Sequence, residues 1–218
     1  MQGQPDSSEA WLRRLTALAS GDPLAILQAI DGGATYAHGL RVAGLAVIMA
    51  RRVGVPVDQA FAAGLFHDLG KVAVPRSLLE KEGPLDATER AVVELHSGEG
   101  ERLLASLGLG HIAVGVREHH ERLDCTGYPY GTGGGRLSLL GQLLAVADAY
   151  DTMTHQRPYA PTLSRDQALD ALRASMGRHF SGEVVECLEG AVQEAVSAEP
   201  LIALAAALAE AHRSTGGT

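Results

Sequence analysis

Several features are scarce in this sequence, and each scarcity excludes a class of protein. The two cysteines, Cys125 and Cys187, lie far apart and form no C-x-x-C pair, which argues against a disulfide framework or a thiolate zinc site. The longest apolar run near the C-terminus, residues 201–209, has about half of the roughly 20 residues that a membrane-spanning helix needs. The first ten residues lack the basic and then apolar order of a signal peptide. We therefore expect a cytoplasmic protein with no membrane insertion.

Positive charge is also scarce. The chain has 18 Lys and Arg against 26 Asp and Glu, a formal net charge of −8, and its only lysines are Lys71 and Lys81. Such an acidic surface lacks the basic stripe that binding to a DNA or RNA duplex requires. A small anionic substrate remains compatible with this charge, because bound metal ions can invert the local field.

Aromatic residues make up 4% of the chain and hydrophobic residues 46%, so alanine, leucine and valine must form most of the core. Alanine and leucine favour helices, and the β-branched and aromatic signature of strands is weak. The pattern predicts an all-α helical bundle, with helices over residues 36–53, 59–69, 86–95, 96–107, 112–120, 139–154 and 164–176. Asp58, Asp86 and Ser164 are the expected helix caps.

Residues 123–138 form the only long stretch without helical periodicity, and they are rich in glycine. Loops of this length inside a compact domain are usually functional. We divide the chain into a leader with a short helix (1–23), a main domain (24–190) and an Ala-rich helical extension (191–218).

Histidine and aspartate residues are the candidates for chemistry. His67 and Asp68 end one predicted helix, His96 begins another, and the pair His119-His120 ends a third. Imidazole and carboxylate together suit iron, manganese or zinc. Asp148 lies mid-helix among apolar residues, where an unpaired buried carboxylate would be costly, so we favour a metal over a salt bridge as its partner. Because a carboxylate has two oxygens, it could bridge two ions.

The order H…HD…H…HH…D resembles the signature of the HD superfamily of metal-dependent phosphohydrolases. The surrounding sequence motifs are similar to those of its HD-GYP branch, the bacterial cyclic di-GMP phosphodiesterases, over about residues 24–190. The matching words include His38-Gly39-Leu40-Arg41-Val42, the segment from Leu65 to Pro75, His119-His120-Glu121-Arg122-Leu123-Asp124, Gly127-Tyr128-Pro129, Val146-Ala147-Asp148-Ala149-Tyr150-Asp151 and Arg157-Pro158-Tyr159.

The resemblance implies an HD-type bundle with a long Gly-Tyr-Pro loop and two divalent metal ions, with iron or manganese favoured over zinc. One ion would be held by His38, His67, Asp68 and Asp148, and Asp68 would bridge to a second ion held by His96, His119 and His120. Asp68 and Lys71 would be the catalytic residues. Lys71 would also hold a phosphate oxygen, while Tyr128 and Arg157 would contact the nucleotide. For Asp151 two roles stay open, orientation of a ligand and a plain salt bridge.

Three positions depart from the family pattern. Ala34 stands where some relatives have a glutamate that binds a third metal, so we predict two ions. Cys125 replaces a glycine, and a residue that needs positive φ would be strained as cysteine. Ala160 stands where a second basic phosphate contact often lies, which predicts weaker affinity or a different nucleotide.

The resulting hypothesis is hydrolysis of cyclic di-GMP by a hydroxide shared between two metal ions, with either linear pGpG or GMP as the end product. One alternative is an HD phosphohydrolase for another nucleotide or cyclic dinucleotide. Another is a weakly active, metal-containing cyclic di-GMP sensor or interaction module. The departures at Cys125 and Ala160 suggest this alternative. The predicted partners are the cyclic dinucleotide and either a second copy of the chain or a signalling protein. The apolar stripe at residues 201–204 fits core packing or a dimer seam.

Overall fold

The computed structural model describes residues 16–155 and 162–195. Within these residues the chain folds into helices joined by short turns, and it forms no strand, apart from an isolated bridge between Met176 and Phe180. The α-helices are α1 (Pro23–Ala29), α2 (Ala34–Val53), α3 (Val57–Phe66), α4 (Arg76–Leu79), α5 (Ala87–Glu94), α6 (His96–Ser106), α7 (Gly110–Glu118), α8 (Leu139–Thr154), α9 (Arg165–Arg173) and α10 (Gly182–Ala195). The all-α prediction is confirmed.

Helix boundaries follow local capping chemistry. Asp86 and Ser164 each form a capping box with the residue three positions on, which accounts for the starts of α5 and α9. The prediction that Asp58 caps a helix is wrong. Helix α3 begins at Val57 with Pro56 at the N-cap, and Asp58 lies in the first turn, where its charge favours the helix N-terminus.

Glycines allow α2 and α3 to approach each other closely. A Cβ at Gly39 would lie 2.5 Å from the carbonyl oxygen of Leu65, and a Cβ at Gly64 would lie 2.6 Å from the Cα of Ala43. A larger residue at either position would push the helices apart. This contact brings His38, on α2, next to His67, at the end of α3.

A second close contact seats the turn after α3 against the start of α6. The 3-10 turn Leu69–Ala73 follows Asp68, and a Cβ at Gly70 within it would lie 2.0 Å from the carbonyl oxygen of His96. The close packing holds the backbone of Asp68 near His96, so the carboxylate and imidazole can converge.

Helix α8 forms the centre of the bundle. Its residues Leu143, Leu144, Val146 and Ala147 are fully buried, and it packs against α2, α7, α9 and α10. Burial on several faces explains why the α8 sequence is almost continuously apolar. Among the described residues, no helix combines the length and hydropathy needed to span a membrane.

Residues 123–138 lie outside the α-helices, as predicted, and contain only the short 3-10 turn Gly134–Arg136. Backbone hydrogen bonds from Leu123 to His179 (3.1 Å) and from Tyr128 to His120 (3.2 Å) attach this loop to the bundle. Cys125 has a φ of 63°, the left-handed conformation that favours glycine. The strained geometry expected at Cys125 is therefore present.

Candidate metal centre

The structure brings all seven candidate metal ligands into one cluster. Donor atoms lie within 4.8 Å of one another in three overlapping groups: Asp68, His96, His119 and His120; His38, His67 and Asp68; and His67, His119 and Asp148. The residues come from α2, α6 and α8 and from the segments that follow α3 and α7. Positions as much as 110 residues apart in sequence therefore meet at one point of the bundle.

Three of the imidazoles are oriented by main-chain carbonyls at helix ends. Nδ1 of His67 lies 2.8 Å from the carbonyl oxygen of Gly64, Nδ1 of His96 lies 2.7 Å from that of Val93, and Nδ1 of His119 lies 2.5 Å from that of Val116. Each carbonyl lies in the last turn of a helix. With Nδ1 bonded to a carbonyl oxygen, Nε2 of each ring faces the cluster, as in metal-binding histidines.

His38 is oriented by a carboxylate instead. Its Nδ1 lies 2.6 Å from Oδ2 of Asp151, and Arg41 donates to the two oxygens of the same carboxylate at 2.8 and 2.9 Å. His155 approaches Asp151 as well, at 2.9 Å. Both roles that the sequence left open for Asp151 are thus present, since one carboxylate orients His38 and forms an ion pair with Arg41.

Asp68 occupies the middle of the cluster, and its two oxygens face opposite sides. Oδ2 lies 3.4 Å from Nε2 of His67 and 3.8 Å from Nε2 of His38, while Oδ1 lies 3.4 Å from Nε2 of His96. This is the arrangement of a carboxylate that can bridge two cations.

The protonation states of the cluster suit cation binding. Burial lowers the pKa of His96, His119 and His120, that of His120 to about 3, so these imidazoles are neutral. Burial acts against the charge of Asp68, but Lys71 and His67 hold the pKa of Asp68 well below its usual range. The pKa of Asp148 is also held well below its usual range, because a hydrogen bond from His38 outweighs burial. These three imidazoles are therefore neutral and the two carboxylates ionised, which are their metal-binding forms.

His38 is the exception in charge. Burial acts to lower its pKa, but hydrogen bonds to Asp148 and Asp151 outweigh burial and raise the pKa of His38 to about 9. Its Nε2 lies 3.0 Å from Oδ1 of Asp148. In the metal-free protein the protonated ring of His38 therefore lies between the carboxylates of Asp148 and Asp151. A metal cation could take the place of its proton.

The donor spacing fits metal ions. Nε2 atoms of His38 and His67 are 3.1 Å apart, and those of His96 and His119 are 3.3 Å apart. Ligands at about 2.1 Å from one ion are separated by roughly 3.0–3.4 Å in tetrahedral or octahedral geometry. Donor atoms at this spacing therefore fit divalent cations that the residues would hold in common.

The three other predicted site residues have different outcomes. Nζ of Lys71 lies 2.5 Å from Oδ2 of Asp68, so this lysine is at the cluster. Tyr128 stacks on the ring of His120 with the ring centroids 4.6 Å apart. Arg157 lies outside the described residues, as does Ala160.

One cavity of about 490 Å³ opens onto the cluster. Asp68, Lys71, His96, His120 and Asp148 line one side of it, and the remaining lining residues include Arg122, Tyr128, Met153, Leu172, Ser175 and Phe180. A volume of this size is typical of small-molecule sites. Sequence reasoning did not assign a role to Arg122, although the residue lies two positions after His120.

Comparison with known proteins shows the family to which the chain belongs. The profile of the HD domain family matches residues 24–184, so this chain belongs to the HD domain family. Over 163 residues it is 37% identical to a protein of Pseudomonas aeruginosa named a cyclic di-GMP phosphodiesterase, covering 72% of this chain and 39% of the relative. Over 165 residues it is 37% identical to the cyclic di-GMP phosphodiesterase response regulator RpfG of Xanthomonas campestris, covering 72% of this chain and 43% of RpfG.

A further relative has a different named substrate. The 3'3'-cGAMP-specific phosphodiesterase 1 of Vibrio cholerae is 32% identical over 150 residues, which are 66% of this chain and 35% of the relative. The chain thus spans about two fifths of the length of these curated relatives. Among solved structures, Bd1817, an HDG"Y"P protein from Bdellovibrio bacteriovorus, matches with a TM-score of 0.60 at 14% identity, covering 85% of this chain and 69% of Bd1817. This likeness shows the shared fold.

Proposed function

We propose that this chain is a metal-dependent phosphodiesterase that hydrolyses cyclic di-GMP to linear pGpG, with a second hydrolysis to GMP as the alternative end point. The observation that carries the proposal is the cluster of five imidazoles and two carboxylates at the wall of a 490 Å³ cavity, with Lys71 beside it. Relatives that are named cyclic dinucleotide phosphodiesterases support the substrate class.

The residues fit two divalent ions. In our assignment His38, His67, Asp68 and Asp148 hold one ion, and Asp68, His96, His119 and His120 hold the other. The two faces of Asp68 support a bridging role. Ala34, the first residue of α2 and one turn before His38, offers no side-chain donor, which supports two ions rather than three. Imidazole and carboxylate donors suit iron or manganese, with zinc as the alternative.

When bound, such a pair of ions supplies an activated water near neutral pH and neutralises charge on the phosphoryl oxygens. In the hydrolysis the water oxygen bonds to phosphorus, the P–O3′ bond breaks, and the leaving oxygen takes a proton. Lys71 lines the cavity beside Asp68, so its ammonium can hold a non-bridging oxygen of the reacting phosphate. Tyr128, whose ring also lines the cavity, can contact the nucleotide. Arg157 keeps its proposed nucleotide contact as a prediction from the sequence.

The test is turnover by the metal-loaded protein. The chain is purified without oxygen, its iron, manganese and zinc are quantified by elemental analysis, and each metal form is incubated with cyclic di-GMP. We expect about two ions per chain and the appearance of pGpG, followed by GMP. Tight binding of cyclic di-GMP with no product would show the sensor of the alternative hypothesis, and one ion per chain would contradict the two-metal assignment.

A second candidate substrate is 3'3'-cGAMP, which is favoured by the relatives of Vibrio cholerae. The two cyclic dinucleotides differ in one base, so comparison of their kcat/KM values decides between them. We propose a cytoplasmic location and either self-association or binding to a signalling protein as further properties of this enzyme. Fractionation of cells and size-exclusion chromatography test these.

A further inference from the structure

Arg122 is held in an unusual position on the wall of the cavity. Its Nη1 donates to the carbonyl oxygens of Glu121 at 2.8 Å and of His119 at 3.2 Å. Its guanidinium lies 4.9 Å from the centroid of the Phe180 ring. These contacts fix the guanidinium plane between the end of α7 and the segment before α10.

Arg122 forms no salt bridge in the part of the chain that the structure describes. Seven described arginines pair with a carboxylate in the structure, namely Arg41, Arg76, Arg102, Arg117, Arg165, Arg173 and Arg178. The hydrogen bonds of Arg122 go to neutral carbonyls instead. The side chain of Arg122 is half-buried, so the cation is partly desolvated. A partly buried charge without a partner is costly, and an anionic ligand would offset that cost.

Arg122 also keeps free donors for such a ligand. A guanidinium has five N–H groups. Nη1 donates both hydrogen bonds, so Nε and Nη2 donate to no acceptor in the part of the chain that the structure describes. Because these atoms belong to a side chain that lines the cavity, they can form a bidentate contact with a phosphate there.

A cyclic dinucleotide carries two phosphates, and the metal cluster with Lys71 accounts for the one that reacts. We infer that Arg122 binds the second, non-reacting phosphate of the substrate and so selects ligands with two phosphates. This inference rests on the proposed function. It also supplies a basic contact in a chain that has Ala160 where related sequences often carry one.

The experiment compares two substrates that differ in their number of phosphates. Cyclic di-GMP has two phosphodiesters, and bis(p-nitrophenyl) phosphate has one. Steady-state kinetics are measured for the wild type, Arg122→Gln, Arg122→Lys and Arg136→Gln. Glutamine can still donate to the carbonyls but has no charge, lysine restores the charge without the fork, and Arg136 is an exposed arginine outside the lining of the cavity.

We expect Arg122→Gln to raise KM for cyclic di-GMP by about 10- to 100-fold and to leave kcat/KM for bis(p-nitrophenyl) phosphate within about threefold. Arg122→Lys should recover part of the loss, and Arg136→Gln should behave as wild type. Metal content and the melting temperature are measured for each variant, because loss of the carbonyl contacts alone would lower kcat/KM for both substrates together.

The outcomes separate this inference from the proposed function. Suppose that wild type hydrolyses cyclic di-GMP and that Arg122→Gln keeps the same KM for it, or lowers kcat/KM equally for both substrates. The phosphate subsite is then wrong, and the enzyme assignment stands. If wild type hydrolyses only bis(p-nitrophenyl) phosphate, the assignment of cyclic di-GMP fails, and cyclic and linear dinucleotides are then tested as competitive inhibitors. Weaker inhibition of Arg122→Gln than of wild type supports the subsite, and equal or absent inhibition overturns it.

Discussion

The imidazoles of the cluster are held in place by two different means. His67, His96 and His119 bond to helix-end carbonyls, which are neutral and cannot be removed by substitution of a side chain. His38 bonds to the carboxylate of Asp151, and its pKa is raised to about 9 while those of His96 and His119 are lowered. The difference shows that helix-end carbonyls orient three of the five imidazoles, whereas the orientation of His38 depends on a charged partner.

Asp68 is shared by the two sides, so its removal should have the largest effect. We expect Asp68→Ala to lower kcat by at least about 1,000-fold and to reduce the metal content of the protein, because both ions depend on the bridging carboxylate. Kinetics and elemental analysis measure these effects. Asp166→Ala, at a side chain that is 84% exposed, is the matched control and should keep both properties. Turnover by Asp68→Ala would contradict the two-metal cluster.

Lys71 should matter for the reaction rather than for the metal. We expect Lys71→Ala to lower kcat by about 100-fold or more, a few kcal/mol of transition-state stabilisation, with the metal content unchanged. Lys81→Ala is the control, because Lys81 pairs with Glu89 and is absent from the cavity lining. Metal loss in Lys71→Ala would show instead that Lys71 supports Asp68 structurally.

The basicity of His38 predicts a pH dependence that the helix-end imidazoles do not share. The folded-state pKa of about 9 lies above the ordinary histidine pKa of 6.5, so protonated His38 stabilises the metal-free fold below about pH 6.5, and this stability is lost as pH rises through about 9. We expect the free energy of unfolding of metal-free wild type to fall by about 2–3 kcal/mol over this window. Urea unfolding of wild type and His38→Gln at about pH 6.5 and about pH 9 measures this decrease. An equal decrease in the free energy of unfolding of the variant would show that His38 is not the cause.

Asp151 tests the charge-dependent orientation of His38 directly. We expect Asp151→Asn to weaken binding of one metal ion by about 10- to 100-fold, because the amide keeps the shape of the side chain but not the charge that holds His38 and Arg41. Metal titration with a competing chelator measures each affinity. Both affinities falling equally would show that Asp151 supports the whole fold rather than the His38 side.

His120 is held by packing against the loop, through Tyr128, and the loop carries strain at Cys125. We expect Cys125→Gly to raise the free energy of unfolding by about 1 kcal/mol, because glycine adopts a φ of 63° without a Cβ clash. Cys125→Ala removes the thiol but keeps the Cβ, so it should not stabilise the protein. Equal stabilisation by both variants would assign the effect to the thiol instead.

Much of the fold was predictable because apolar periodicity and capping are local properties. The capping residues Asp86 and Ser164 were recognised from side-chain chemistry alone. The error at Asp58 arose because an acidic residue in the first turn resembles an N-cap when the competing cap, Pro56, has no side-chain acceptor. The identities of the candidate ligands came from their order in the chain, through the resemblance to a family, and periodicity would not have grouped them.

The sequence by itself determined the helices, the candidate donors and the negative net charge, since these depend on residue types and short-range spacing. Only the tertiary structure decided which imidazole each carbonyl or carboxylate orients, that Asp68 faces two sides, and that Arg122 is half-buried without a salt bridge to a described residue. Those properties depend on distances between segments far apart in the chain. Such distances are set by how closely the helices pack, as at Gly39, Gly64 and Gly70, and no local pattern encodes them.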